Sequence, residues 1–423
     1  MNSYRNRSLR GRLAAVLAIA AMAAACASPT ISPAPTTGAS AAATPDASAD
    51  QAIYAQIEAQ VEQLRQLNSN RPVTPTLLDE AGVRDWMNRA NAAQTDHVAM
   101  AAESRLLVHL GLLPAASSLE KLELDLESGQ VIGFYDSTTK NLYLVSQSGG
   151  VGAEQKFTFS HEFTHALQDQ NFGLDKLGID APDQSDRDLA RTSLAEGDAS
   201  LSMTQWAEKY MSILDMIGIG LGSGSADQAA QLAAAPAILR STLTFPYEQG
   251  LAFVQSIYDN GGWTAVDKLY SNPPNSTSQI LHPQLYTAAV QPVAVVAPVV
   301  PASLGSGWKR TMQDTLGEMD LGTWLEGEHP TDAQTKAATS AVDTWGGDRV
   351  GLYEGPNGAW AVVLRTDWRT DAGRLAFMDA ATSRLDGVGS SSRICSDASG
   401  HVDLAITSDQ ALLPSFLVCN PMG

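Results

Sequence analysis

The chain has 423 residues, of which 44% are hydrophobic and 17% charged, with 34 Gly, 20 Pro and 3 Cys. That much apolar side chain supports one large domain or a few ordinary ones, and it excludes a disulfide miniprotein and wholesale disorder. A formal charge of −19 repels phosphate backbones, so no nucleic-acid partner is expected.

Arg5, Arg7, Arg10 and Arg12 give a basic start, and Leu13 to Ala25 form an apolar run that ends at Cys26. The run is too short for a bilayer-spanning helix but suits the apolar region of a secretory signal. Its Ala-Ala-Ala-Cys end resembles a bacterial lipoprotein signal, which is cut before a cysteine that then receives lipid. Ordinary cleavage nearby is the alternative. Ser28 to Asp50 is almost wholly Ala, Ser, Thr and Pro. Such a stretch cannot bury enough apolar surface to offset chain entropy, and reads as a disordered tether. The expectation is an exported protein of the cell envelope, lipid-anchored to the membrane at Cys26 and facing outside the cytoplasm. Cys395 and Cys419 would then meet an oxidising compartment, where a disulfide between them is expected. Two separate buried thiols are the alternative.

Beyond the tether, Ile53, Ile57, Val61 and Leu64 fall at helical spacing, predicting a helix over Gln51 to Leu67. Asp79 to about Leu113 reads as one or two helices, ended by Gly111 and Pro114. Val131 to Tyr135 and Asn141 to Val145 read as the strands of a hairpin. Ser146 to Gly152 reads as a loop, Ala153 to Asn171 as a helix stopped by Gly173, and Asp186 to Met211 as another helix. Leu214 to Gly224 is Gly-rich and apolar, and reads as a loop or mobile helix end. Phe253 to Tyr270 looks helical on both sides of Gly261-Gly262, and Val293 to Val300 is a Pro-broken extended run. From about Leu304 the pattern gives a helix, a hairpin near Val350 to Arg365, a helix near Asp371 to Leu385, and short strands carrying the two cysteines. The order of elements is α+β. The division read from it is a signal peptide over 1–25, a tether over 26–50, a main domain over 51–300 and a C-terminal α+β region over 301–423.

The most specific chemistry lies in Phe159-Ser-His-Glu-Phe-Thr-His165, a match to HExxH. On a helix, His161 and His165 are four apart and share one face, so both imidazoles can reach one cation. Zinc accepts imidazole nitrogen at about 2.0–2.1 Å in a tetrahedral site. Glu162 projects beside such an ion, placed to take a proton from water as a general base. Phe157, Phe163, Ala166 and Leu167 predict a buried helix, in which two imidazoles and a carboxylate need partners. A catalytic zinc ordinarily takes three protein ligands. Glu196, in Leu194-Ala-Glu-Gly-Asp-Ala199, is the candidate third. Gly197 would let its helix approach the first closely, and Asp198 would accept a hydrogen bond from a ligand imidazole. A solvated acidic face is the bland reading of both acids.

HExxH followed by a helix with LxEGxA resembles the gluzincin metallopeptidases. The longer string His161 to Gln170, the LAEGDA string and Ser276-Thr-Ser-Gln-Ile-Leu-His-Pro283 together resemble a group of bacterial and archaeal gluzincin-like proteins. The resemblance spans about Val131 to Pro283, with a weaker continuation from Trp345. It implies a gluzincin-like core with an active-site helix, an edge β-hairpin and a C-terminal α/β extension, in which Glu196 is the third zinc ligand. It also implies that an edge strand, Val131 to Tyr135 or Leu142 to Val145, pairs with an extended peptide substrate. His282 or Tyr247 is the candidate to stabilise the oxyanion.

Three functions compete at this stage. The first is an exported zinc metallopeptidase acting on a peptide or protein. The second is a non-catalytic, zinc-stabilised binding lipoprotein with a degenerate peptidase fold. The third is a non-haem iron site, which uses the same ligand types; the Glu beside the first His and the exported setting speak against it.

Overall fold

The computed structural model describes residues 47–145, 151–222, 226–386, 391–397 and 399–417. The apolar run at Leu13 to Ala25, Cys26 and Cys419 lie outside the described residues. So does the expected tether, except its last four residues.

Those four open the first helix. α1 covers Ala47–Arg65, with Asp50 in its first turn where the helix dipole favours a negative charge. β1 (Thr76–Leu78), α2 (Glu80–Gln94), α3 (His97–His109) and α4 (Leu119–Gln130) follow. Asp96 caps α3 by accepting from the backbone N–H groups of Val98 and Ala99, which starts a new helix where the sequence allowed one continuous run. β2 (Gly133–Asp136) and β3 (Asn141–Val145) form the expected hairpin. β1 adds in parallel to β3, so the order is β1-β3-β2, with β3 central and β2 at an edge. Leu142 to Val145 is therefore not an edge strand.

α5 covers Ala153–Asn171, as the periodicity predicts. It is buried along nearly its whole length between α1, α6 and the hairpin strands. α6 (Ser185–Tyr210) runs beside it. α7 covers Ile213–Gly222, where a loop or mobile end was expected. The Ser212 Oγ accepts from the Asp215 N–H and donates to its carboxylate, so a formed N-terminus overrides the helix-weakening glycines.

α8 (Ala226–Ala234) precedes the long α9 (Ala237–Leu269). α9 begins well before the predicted start, and its regular backbone breaks at Gly262, where φ is +62°. α10 (Thr277–Leu281) and α11 (Pro283–Thr287) complete the helical half.

The C-terminal half holds β4 (Lys309–Asp314), α12 (Gly317–Glu326), α13 (Asp332–Val342), β5 (Trp345–Glu354), β6 (Trp360–Trp368), α14 (Asp371–Leu385), β7 (Ser391–Ser396), β8 (Val402–Thr407) and α15 (Leu413–Phe416). The strands make one antiparallel sheet in the order β4-β5-β6-β8-β7. Cys395 on β7 is disulfide-bonded. β8 carries no cysteine. The fold is α+β.

Two features bear on the site. One hydrophobic cluster joins Leu106, Leu110 and Ile238 to Leu321, Trp324, Val350, Leu364 and Leu404, so residues on both sides of position 300 share a core. The second is where α6 meets α9. Gly197 does not face α5, as expected; a Cβ there would run into the Gly250 carbonyl of α9, and one on Gly250 would run into the Ser193 carbonyl of α6. The two glycines let these backbones touch. Gly197→Ala is therefore expected to lower stability by about 1–3 kcal/mol or more, read as a lower urea midpoint. An unchanged midpoint would show that the helices can separate at no cost.

Candidate metal centre

α5 and α6 bring together the three predicted donors. His161 Nε2 lies 3.1 Å from His165 Nε2 and 3.1 Å from Glu196 Oε2, and His165 Nε2 lies 3.3 Å from Glu196 Oε2. The two imidazoles come from one face of α5, one turn apart, with their rings edge-on at 82°. Glu196 comes from the facing turn of α6. All three side chains are buried.

This triangle suits an ion. Donors on tetrahedral arms of about 2.0–2.1 Å stand about 3.3 Å apart. Beside it, Glu196 Oε1 and Glu162 Oε2 are buried without a hydrogen-bond partner; His161 Nδ1 is also unpartnered, but it lies on the side of its ring away from the triangle. Such orphans are costly unless something binds them. His161, His165 and Glu196 can hold a metal ion.

The electrostatics agree. Burial opposes the charge on Glu196, but the two imidazoles outweigh it and hold the carboxyl down to about 2. Burial opposes the charge on His165 too, yet Glu196 lifts it to about 9, while burial leads in lowering His161. Without metal, one proton among these atoms occupies the lone pairs a cation would use.

The ring of His165 is fixed by a residue the sequence reading did not single out. Gln168 Nε2 donates to the Ala195 carbonyl at 2.9 Å, which leaves Gln168 Oε1 to accept from His165 Nδ1 at 2.9 Å. An amide oxygen only accepts, so Nδ1 carries a proton, and Nε2, facing Glu196, is the nitrogen that can exchange its proton for a metal ion. The signal was present as the Gln three residues after His165, on the same helical face. Through Ala195 the same side chain also ties α5 to the turn that carries Glu196.

Glu162 sits beside the triangle and is also buried. It accepts the backbone N–H of Tyr135, from the edge strand β2. Burial lifts it to about 8. The strand is held against α5 at a second point, because Tyr135 Oη donates to Asp169 at 2.8 Å and Lys140 pairs with Asp169 at 2.7 Å.

Asp198 does another job than the one expected. It accepts from no imidazole. Its oxygens take Arg65 Nε at 2.6 Å, Arg65 Nη2 at 3.1 Å and Tyr270 Oη at 2.6 Å. Arg65, fully buried, also pairs with Asp267 at 2.8 Å and lies 4.4 Å over the Trp263 ring. Asp198 thus acts on His161 through its charge, and otherwise binds α1 to α6 and α9. Tyr247 on α9 is at the site, with its ring 6.2 Å from the His161 ring. His282 bonds Glu318 at 2.7 Å, and the structure gives it no bond to the three donors.

A family model described as a domain of unknown function, DUF8575, matches residues 306–411, which hold none of the three donors. No curated protein matches the chain. Among solved structures, the chain is similar to one described as a "putative hydrolase with a novel fold" from Chloroflexus aurantiacus. The likeness has 18% identity, covers 59% of this chain and 92% of that one, and has a TM-score of 0.36.

Two outcomes are expected. Gln168→Leu should weaken metal affinity about 10–100-fold while the fold persists, as measured by competition with a chromogenic chelator; full affinity would remove Gln168 from this role. Asp198→Ala should cost about 3–5 kcal/mol in thermal or urea unfolding, because it leaves Arg65 charged and buried beside one partially exposed partner.

Proposed function

We propose that the protein is a zinc-dependent metallopeptidase of gluzincin type, exported and lipid-anchored at Cys26. The observation that carries this reading is the triangle of two imidazole nitrogens and one carboxylate oxygen, 3.1–3.3 Å on a side, with a second carboxylate next to it. His161, His165 and Glu196 would hold the ion. Two nitrogens and one oxygen in this spacing match zinc and leave a fourth position for water or substrate. When bound, zinc supplies Lewis acidity towards a carbonyl oxygen and makes water a better proton donor.

Glu162 then does the proton work. Its carboxylate takes a proton from the attacking water and passes it to the departing amine. A divalent charge on its neighbours favours its ionised form over the raised value of the metal-free chain. The Tyr135 N–H holds the carboxylate in place, and β2 offers an edge close to it for an extended peptide. Tyr247 is the nearer of the two candidates for steadying the oxyanion.

One observation favours the non-catalytic reading. Each of His161, Glu162, His165 and Glu196 is at most 2% exposed. A peptide carbonyl reaches them only if the covering elements move. The same variant separates the two readings. Glu162→Gln should keep stoichiometric zinc and lose at least about 100-fold in cleavage of a peptide library, whereas His161→Ala should lose both metal and cleavage. A wild-type protein that binds zinc and cleaves nothing would leave the binding module. Equal cleavage by Glu162→Gln would refute the role of Glu162.

A further inference from the structure

A second group of metal-type donors lies away from the triad. His282 stands at the junction of α10 and α11, Glu318 in the first turn of α12, and Asp343 just past α13. His282 Nε2 is 2.7 Å from Glu318 Oε1 and 3.6 Å from Asp343 Oδ1. The three donor types lie within reach of one ion.

We propose that His282, Glu318 and Asp343 form a second divalent-cation site, with water filling the remaining positions. A simple ion pair between His282 and Glu318 does not account for the whole arrangement. Glu318 is 2% exposed, and its other oxygen, Oε2, is buried with no hydrogen-bond partner. A half-bonded buried carboxylate is costly, and a cation beside it would remove that cost. On arms of about 2.1 Å, separations of 2.7 and 3.6 Å correspond to angles of about 80° and about 118°. These suit a five- or six-coordinate ion with solvent ligands. One imidazole and two carboxylates select a first-row transition cation such as zinc or manganese over calcium. Asp343 is 58% exposed on its side chain, which gives an ion a way in.

The frame is built independently of the three donors. Thr277 Oγ1 accepts from the Met319 N–H at 3.2 Å and donates to Asp186, fixing α12 against α10. Arg369 donates to the Ser278 hydroxyl at 3.1 Å and to the Asp343 carbonyl at 2.6 Å, fixing that backbone beside His282. Arg369 opposes a cation by its charge, and the two carboxylates outweigh it. The ion would join segments on both sides of position 300, and its role is a structural clip.

The test is equilibrium dialysis of the purified chain against low micromolar Zn2+, with metal counted by emission spectrometry. Asp343→Ala changes an exposed side chain, and Glu318→Gln keeps the volume of a buried one. Each should remove one equivalent of bound zinc, whether or not the triad is loaded. His161→Ala should leave that equivalent in place, and added zinc should still raise the thermal midpoint of His161→Ala but not of His161→Ala/Asp343→Ala. Equal zinc content in wild type, Asp343→Ala and Glu318→Gln would overturn the site. So would a zinc content that His161→Ala alone reduces to zero.

Discussion

A helix enclosed on every side must find a partner for each polar group it carries. α5 meets that demand in three ways. Ser160 and Thr164 return their hydroxyls to carbonyls of their own helix. Gln168 and Asp169 bind neighbouring segments, Gln168 the Ala195 carbonyl and Asp169 the β2 edge strand with its turn. The imidazoles of His161 and His165 face Glu196 and one another, an arrangement that no set of protons fully satisfies. Apart from the buried Thr158 hydroxyl, which has no hydrogen-bond partner, the polar cost of α5 is gathered at this point, and a bound cation would relieve it there.

Much of this was legible from residue spacing. The HExxH pattern lies on a helix whose limits the periodicity gave correctly, and Glu196 on the next long helix reaches the same point. The hairpin was also visible, because alternating apolar residues flank a polar turn. The sequence did not show which strand is at the edge, since that depends on β1 joining β3 from far upstream. Asp198 was assigned from its closeness to Glu196. Its true partner, Arg65, is 133 positions away, and no local pattern encodes a pairing of that range. The glycines of Leu214 to Gly224 leave a loop and a helix end both open, and one Ser–Asp cap is enough to start the helix that forms there.

The C-terminal half shows a different limit. The three central strands of its sheet, β5, β6 and β8, are buried on both faces. Val350, Leu352, Val362 and Leu364 pack towards the shared core, and Tyr353, Ala361, Val363 and Ala405 pack towards Trp308 and Phe416. Strands covered on both sides lose the apolar–polar alternation that reveals a half-exposed strand. The sequence showed the β5–β6 hairpin and a strand at Cys395, but neither the buried β8 nor the exposed edge strand β4. The shared core also means that the region after position 300 and the helical half bury apolar surface together.

Gly197 and Gly250 set the depth of Glu196 without any side chain taking part. Because backbone meets backbone there, the position of that carboxylate relative to α9 is largely independent of which apolar residues fill the surrounding interior. Drift in the composition of that interior would leave the spacing of the donors intact. A single methyl group at either glycine would force the two helices apart and shift the whole donor set.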